Sequence, residues 1–254
     1  MTQPRDDSGS HDGSLNIAHR GAIAGVPAAS ARALMRAAKR GADGVELDVQ
    51  LTKDDQLIVF HDERLPNTSH LVKHLSLSDI KQHNARVFRL KDALRSLKKS
   101  DGLILLDVKV RGVVDRVVNL ATEAGVRDRV VIASFDTRVL EEARRMGING
   151  TALIVGFSRV MRELKGFVLP LFALMAPVVV ARRLCASFII CSRYRATSRL
   201  LEAAHAHEMQ VWVWSKRIDT ALRKIPADGF ITDFPEVLDV AEDASLDPAD
   251  TGAV

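Results

Sequence analysis

The chain has 254 residues, 47% hydrophobic and 27% charged, a balance that fits one large water-soluble α/β domain and excludes collagen-like, disordered and multi-span membrane chains. A chain this long buries a sizeable core without staples, and its cysteines, Cys185 and Cys191, lack partners at zinc-ligand spacing, so they read as reduced thiols and point to the cytoplasm. The net charge is only +4, yet the segment from Phe157 to Leu200 carries eight basic residues and one acidic residue, +7 against −3 for the remainder, a one-sided distribution that suits an anionic partner.

Residues 1–14 are polar, with no apolar stretch behind a basic start, and read as a disordered leader. Short β-branched or apolar runs then alternate with helical patterns, the signature of βαβ units. The runs are 15–18, 44–48, 103–107, 130–134, 151–155, 187–191, 210–214 and 229–232, and eight parallel strands close a (β/α)8 TIM barrel. The apolar run 57–60 is excluded from the ring, because parallel neighbours need a crossover of about a dozen residues. It is expected as the return arm of a hairpin that turns at Thr52-Lys53-Asp54-Asp55-Gln56 and overhangs the barrel mouth.

Helices are expected at 28–40, 90–99, 113–124, 138–146 and 197–207, with Gly41, Gly102, Gly125 and Gly147 placed where left-handed caps follow four of them. The uncharged run 166–181, bounded by Lys165 and Arg182-Arg183, is too short for a bilayer span of about 20 residues, and Pro170 and Pro177 are expected to break it. It reads either as a helix and loop buried between strands or as an apolar wedge ringed by arginines that enters an anionic membrane surface. Residues 241–254 are acidic and small and read as a disordered tail, leaving 15–240 as a single barrel domain.

Barrel active sites lie at the C-terminal ends of the strands, which puts weight on His19-Arg20 after the first run, Glu46 and Asp48 in the second, Asp107 and Lys109 in the third, and His61-Asp62 on the hairpin. Glu46 and Asp48 are two apart and share a strand face. On an edge strand that would mean only a wet face, but in a barrel the face is the lumen. Three carboxylates on one rim repel unless a cation sits between them, and Mg²⁺ or Ca²⁺ suits oxygen ligands. A lone histidine is more often structural than catalytic; two beside these carboxylates suit proton transfer near neutral pH. Arg20 and Lys109 bring positive charge for a phosphate, or else pair with the carboxylates. Phe135, Trp212 and Trp214 are expected to line the substrate pocket.

The runs I-A-H-R-G (17–21), G-A-D-G-V-E-L-D-V-Q-L-T-K-D (41–54) and V-F-H-D (59–62) resemble the N-terminal signature of the glycerophosphodiester phosphodiesterases. Later pieces, L-D-V-K (106–109), A-S-F-D (133–136) and I-T-D-F-P (231–235), resemble the same family, with Trp212 where it has the tryptophan of W-T-V-N, so the likeness covers 16–238. The resemblance implies one divalent cation on Glu46, Asp48 and Asp107, an acid/base pair in His19 and His61, and a phosphate held by Arg20 and Lys109. It further implies attack by the glycerol 2-hydroxyl, opening of the cyclic phosphate by water, and release of glycerol 3-phosphate and an alcohol.

Departures from the pattern are Ala28, Ala29 and Ser30 in place of Glu-Asn-Thr, Asp107 for a glutamate, Leu105 for an asparagine, and a short stretch 63–87 for the family's inserted subdomain. Two alternatives follow: a lysophospholipase D that takes lysophospholipids at an anionic membrane through 157–200 and yields lysophosphatidic acid, and a non-catalytic phosphate-binding homologue. No nucleic-acid partner is expected, since no aromatic-interleaved basic motif accompanies the charge.

Overall fold

Eight parallel strands close on one another in the computed structural model of the chain, which describes residues 14–21, 42–83, 87–148, 150–156, 176–215, 222 and 224–233. The strands are β1 Leu15–Ala18, β2 Gly44–Leu51, β3 Leu57–Val59, β4 Phe88–Arg89, β5 Leu103–Val108, β6 Val130–Ser134, β7 Gly150–Val155, β8 Phe188–Ser192, β9 Gln210–Ser215 and β10 Gly229–Thr232. The parallel ring runs β1-β2-β5-β6-β7-β8-β9-β10 and returns to β1, through Ile17 opposite Gly44 on one side and Ile17 opposite Ile231 on the other. This is a (β/α)8 barrel.

Alternation along the strands builds two apolar layers. Ile17, Leu105, Val131, Ala152, Ile190 and Ile231 form the inner cluster, whereas Val45, Leu47, Val49, Ile104 and Leu106 pack outward against helices. The described helices are α1 Leu77–His83, α2 Leu90–Leu97, α3 Val114–Ala124, α4 Thr137–Arg145, α5 Pro177–Leu184 and α6 Ser198–His205. In α4 the Asp136 carboxylate accepts from the Arg138 amide at 3.0 Å, Val139, Leu140 and Ala143 face the barrel, and Glu141, Arg144 and Arg145 face water. Each buried valine or leucine of that face contributes about 1.5–3 kcal/mol.

Gly125 and Gly147 have φ of 71° and 66°, as expected of glycines that close helices. Gly102 does not: α2 already ends at Leu97, and the glycine serves a close approach, since a methyl group there would lie 2.9 Å from the Asp43 carbonyl oxygen. Pro177 also departs from expectation. It opens α5 rather than breaking it, because the first helical position needs no N–H donor.

The basic segment splits. Arg182 and Arg183 close α5 before β8, while Arg193 and Arg195 follow β8 and Arg199 opens α6, so the two groups occupy opposite ends of the barrel and cannot form one contact surface. The helix at 28–40 with Gly41, the leader through residue 13, residues 157–175 of the basic and apolar segment, and the tail lie outside the described residues.

Beyond the ring, β2 runs on and pairs antiparallel with β3, Val49 opposite Val59 and Leu51 opposite Leu57. The turn is held by the Thr52 hydroxyl, which accepts from the Gln56 amide at 2.9 Å and donates to Asp54 at 2.6 Å. The short stretch 63–87 contributes Leu65, Val72, Ile80 and Val87 to a separate small core with Ile58 and Phe60, and just beyond it β4 pairs with β3.

Candidate active site

Every residue singled out at a strand end lies at the C-terminal mouth of the barrel. Glu46, Asp48 and Gln50 occupy alternate positions of β2 and so share its inner face, and Asp107 stands opposite Asp48 in the β2–β5 register. One oxygen each from Glu46, Asp48 and Asp107 lies within 4.8 Å of the others, and all three residues are buried. Burial, with Asp48 and Asp107 beside it, holds the Glu46 carboxyl well above the usual range.

Two cations enter this cluster. The Lys109 ammonium is 2.8 Å from Asp48 Oδ1 and also donates to Asp107 Oδ2; the Arg20 Nε is 3.3 Å from Asp48 Oδ2. Burial opposes the charge on Asp48, but Lys109, His61 and Arg20 outweigh it and hold that carboxyl below its ordinary value. Burial likewise opposes the charge on Lys109, and Asp107 and Asp48 reverse that, raising the ammonium above its ordinary range. In this state both bases are partnered by carboxylates, the pairing weighed from sequence as the alternative to phosphate contact.

Arg20 sits at φ 53°, ψ 27°, a left-handed backbone that arginine seldom adopts. The conformation turns its amide toward Glu46 Oε2, to which it donates at 2.9 Å. Strain of this kind, of order 1–3 kcal/mol, persists where surrounding contacts over-determine it.

Each histidine is anchored at Nδ1. His19 Nδ1 is 2.5 Å from Asp233 Oδ1, and His61 Nδ1 is 2.7 Å from Asp62 Oδ1. An ionised carboxylate only accepts, so each Nδ1 carries the proton it donates and each Nε2 keeps a lone pair in the neutral ring. His19 Nε2 is 4.0 Å from Glu46 Oε2. His61 is partly exposed, and burial lowers its pKa below the ordinary imidazole value.

Trp214, 37% exposed, meets the edge of the His19 ring at 5.8 Å between centroids. Phe135 is half-buried after β6, near Gly156, where a methyl group would lie 3.4 Å from its ring. Trp212 does not line the pocket. It is fully buried two residues below Trp214, packed on Phe188 at 4.3 Å inside the barrel, where the inner apolar cluster fills the lumen.

Asp233 and Gln50 stand in runs that carry the family resemblance, but neither was assigned a role from the sequence. Asp233 follows β10 and could have been weighed by the strand-end rule that selected Asp107; Gln50 continues the inward alternation of Glu46 and Asp48.

The donor set fits a hard divalent cation. Glu46, Asp48 and Asp107 offer oxygen only, and the buried Asp107 Oδ1 has no hydrogen-bond partner among the described residues.

The family model for the glycerophosphoryl diester phosphodiesterase family matches residues 19–237. The chain belongs to that family. A glycerophosphodiester phosphodiesterase of Caldanaerobacter subterraneus subsp. tengcongensis is 30% identical to it over 246 residues, covering 88% of this chain and 96% of the relative. That of Bacillus altitudinis is 25% identical over 245 residues, covering 87% and 94%.

Among solved structures, a glycerophosphodiester phosphodiesterase from Thermotoga maritima shares the fold at a TM-score of 0.70 and 24% identity, covering 89% of this chain and 98% of its own. A phosphodiesterase from Oleispira antarctica, in complex with the product sn-glycerol-3-phosphate, shares it at 0.69 and 17%, covering 88% and 94%. As a member of the glycerophosphoryl diester phosphodiesterase family, the chain is a phosphoric diester hydrolase.

Proposed function

We propose that this chain is a metal-dependent glycerophosphodiester phosphodiesterase that releases glycerol 3-phosphate and an alcohol. The observation that carries the proposal is the convergence of His19, Arg20, Glu46, Asp48, His61, Asp107 and Lys109 on one barrel mouth. The bound sn-glycerol-3-phosphate of the Oleispira antarctica relative supports the same product here.

In this reading His19 and His61 divide the proton work. One Nε2 takes the proton of the attacking glycerol 2-hydroxyl, and the other imidazole, protonated, gives a proton to the leaving alcohol; water then opens the cyclic phosphate. Asp233 and Asp62 hold the two rings in the tautomer that exposes Nε2. Arg20 and Lys109 carry the charge that a phosphate meets on entry. Glu46, Asp48 and Asp107 would hold Mg²⁺ or Ca²⁺, and the ion would supply positive charge where the phosphate binds.

Alanine at His19 or at His61 is expected to lower turnover of a glycerophosphodiester by a factor of about 10² or more with the fold intact. Wild-type turnover in either variant would remove the assignment. Absence of turnover in the wild type, with tight binding of glycerol 3-phosphate, would make the chain a binding homologue.

A second reading extends the substrate to lysophospholipids at an anionic membrane, giving lysophosphatidic acid. Tyr194 favours it: 86% exposed, it lies between Arg193 and Arg195 at the mouth end of β8, with the Arg193 guanidinium 5.5 Å from its ring. No described helix is long and apolar enough to cross a membrane. Sedimentation with anionic vesicles at low salt tests this reading, and equal binding by Tyr194→Ser would count against this surface.

A further inference from the structure

We propose that Gln50 is the positioning residue of His61. The inference rests on the reading of His61 as one of the acid/base pair and adds a residue to that site.

β3 is held to β2 by its ladder only as far as Val59, and the Phe60 amide makes the last backbone bond, to the Asp48 carbonyl at 3.0 Å. Beyond Phe60 the chain leaves the β2–β3 ladder, and among the described residues the carbonyls that follow pair with no strand. The buried Gln50 side chain takes over. Its Nε2 donates toward the carbonyls of Phe60 at 3.1 Å, His61 at 3.2 Å and Asp62 at 2.6 Å.

One amide nitrogen with two hydrogens therefore gathers three consecutive acceptors, and at least one of the contacts is shared. Three carbonyls converging on a point fix the backbone of a tight curl. His61 sits at its centre, and Asp62, which holds His61 Nδ1, sits at its end. Among the described residues the His61 ring is held by a side-chain bond to its neighbour Asp62, and a contact between adjacent residues does not by itself set where both lie over the mouth.

Gln50 stands two residues beyond Asp48 on the same strand face, so the position of the imidazole is set from the strand that carries Glu46 and Asp48. Leu57 and Val59 tie β3 itself into the barrel core, whereas the chain beyond Phe60 rests on the separate small core of Ile58, Phe60, Leu65, Val72, Ile80 and Val87, so the Gln50 tie falls where the direct anchorage ends.

The test is Gln50→Met, which keeps length and approximate volume and removes both donors. Displacement of a reacting group by about 1 Å costs on the order of 10²-fold, so kcat on a glycerophosphodiester is expected to fall about ten- to a hundredfold with KM within about twofold. Because Gln50 acts through His61, the same substitution placed on His61→Ala is expected to change kcat no further. Where His61→Ala itself lowers turnover, a fall in kcat that is equal in both backgrounds, or no fall in Gln50→Met, would overturn the proposal.

A second readout does not depend on turnover. The His61 ring resonance, assigned by its disappearance in His61→Ala, is expected to shift and broaden in Gln50→Met of the substrate-free protein. An unchanged His61 resonance overturns the proposal even if the chain hydrolyses glycerophosphodiesters. A shifted one supports it even if His61→Ala retains turnover and the acid/base reading fails.

Discussion

Replacing Lys109 by methionine isolates the electrostatics of the barrel mouth. The Lys109 side chain is 7% exposed, with Asp48 at 4% and Asp107 at 10%, and its ammonium contacts both carboxylates. Asp107 and Asp48 hold that ammonium charged above its ordinary range, so its contribution is fully present below the unfolded pKa of about 10.4 and is complete at neutral pH. Removing one partner of a buried ion pair costs about 3–5 kcal/mol, since the remaining charge is left uncompensated. At about 2–4 °C per kcal/mol for a protein of this size, melting in chelator should fall by about 6–20 °C. The cost should shrink as pH is lowered, because Asp48, no longer held down by Lys109, takes up a proton in the folded variant. Excess Mg²⁺ should recover about 2.7 kcal/mol at a hundred times its Kd, by occupying the same oxygens. Differential scanning calorimetry in chelator, then with Mg²⁺, reads each value. A variant that melts with the wild type at pH 7 in chelator would refute the account of Lys109 as the internal counter-ion.

Further expectations follow from other parts of the molecule. Hydrolysis of a glycerophosphodiester should vanish in chelator and return with Mg²⁺ or Ca²⁺; full activity after exhaustive chelation would exclude Glu46, Asp48 and Asp107 as ligands to a required ion. Gly44→Ala should destabilise the barrel by about 1–3 kcal/mol, because the new methyl would lie 2.7 Å from the Leu103 carbonyl oxygen, a backbone atom that cannot swing away; an unchanged urea midpoint would contradict the close β2–β5 approach. Burial pushes the Cys191 thiol up to about 11, against the smaller opposing effect of Arg195, while Cys185 is exposed. At pH 8 a disulfide reagent should therefore titrate Cys185 alone in the native state and both thiols in denaturant, and two fast thiols without denaturant would show that β8 is not packed as described.

The alternation of apolar runs with helical patterns already contained the barrel, because eight strands buried on both faces leave continuous β-branched segments that a helix period does not. The Glu46-x-Asp48 pair, Asp107 and the hairpin that carries His61 were legible for the same reason: period two and crossover length are local rules, and the barrel turns them into a common mouth. The small core at 63–87 was not legible, since α1 buries only Ile80 and so shows no amphipathic stripe. Gly102 and Pro177 were misread because a glycine after a helix and a proline within an apolar run each serve two geometries, and only the neighbouring strand or the helix start selects one.

What the chain order could not convey is which side chain holds which. Asp233 reaches His19 across 214 positions, a contact made only when β10 closes the ring onto β1. Gln50 gathers three carbonyls only after the hairpin folds back over its own strand. Trp212 and Trp214 are two residues apart and share a face, yet one fills the lumen and the other meets His19, because depth along the barrel axis separates them. Arg182 and Arg193 lie in one basic segment but at opposite ends of β8. Residue types and spacing determined the ring of strands and the candidate chemistry at its mouth; closure of the ring decided the partners, depths and ends, since these depend on distances between strands that local sequence does not specify.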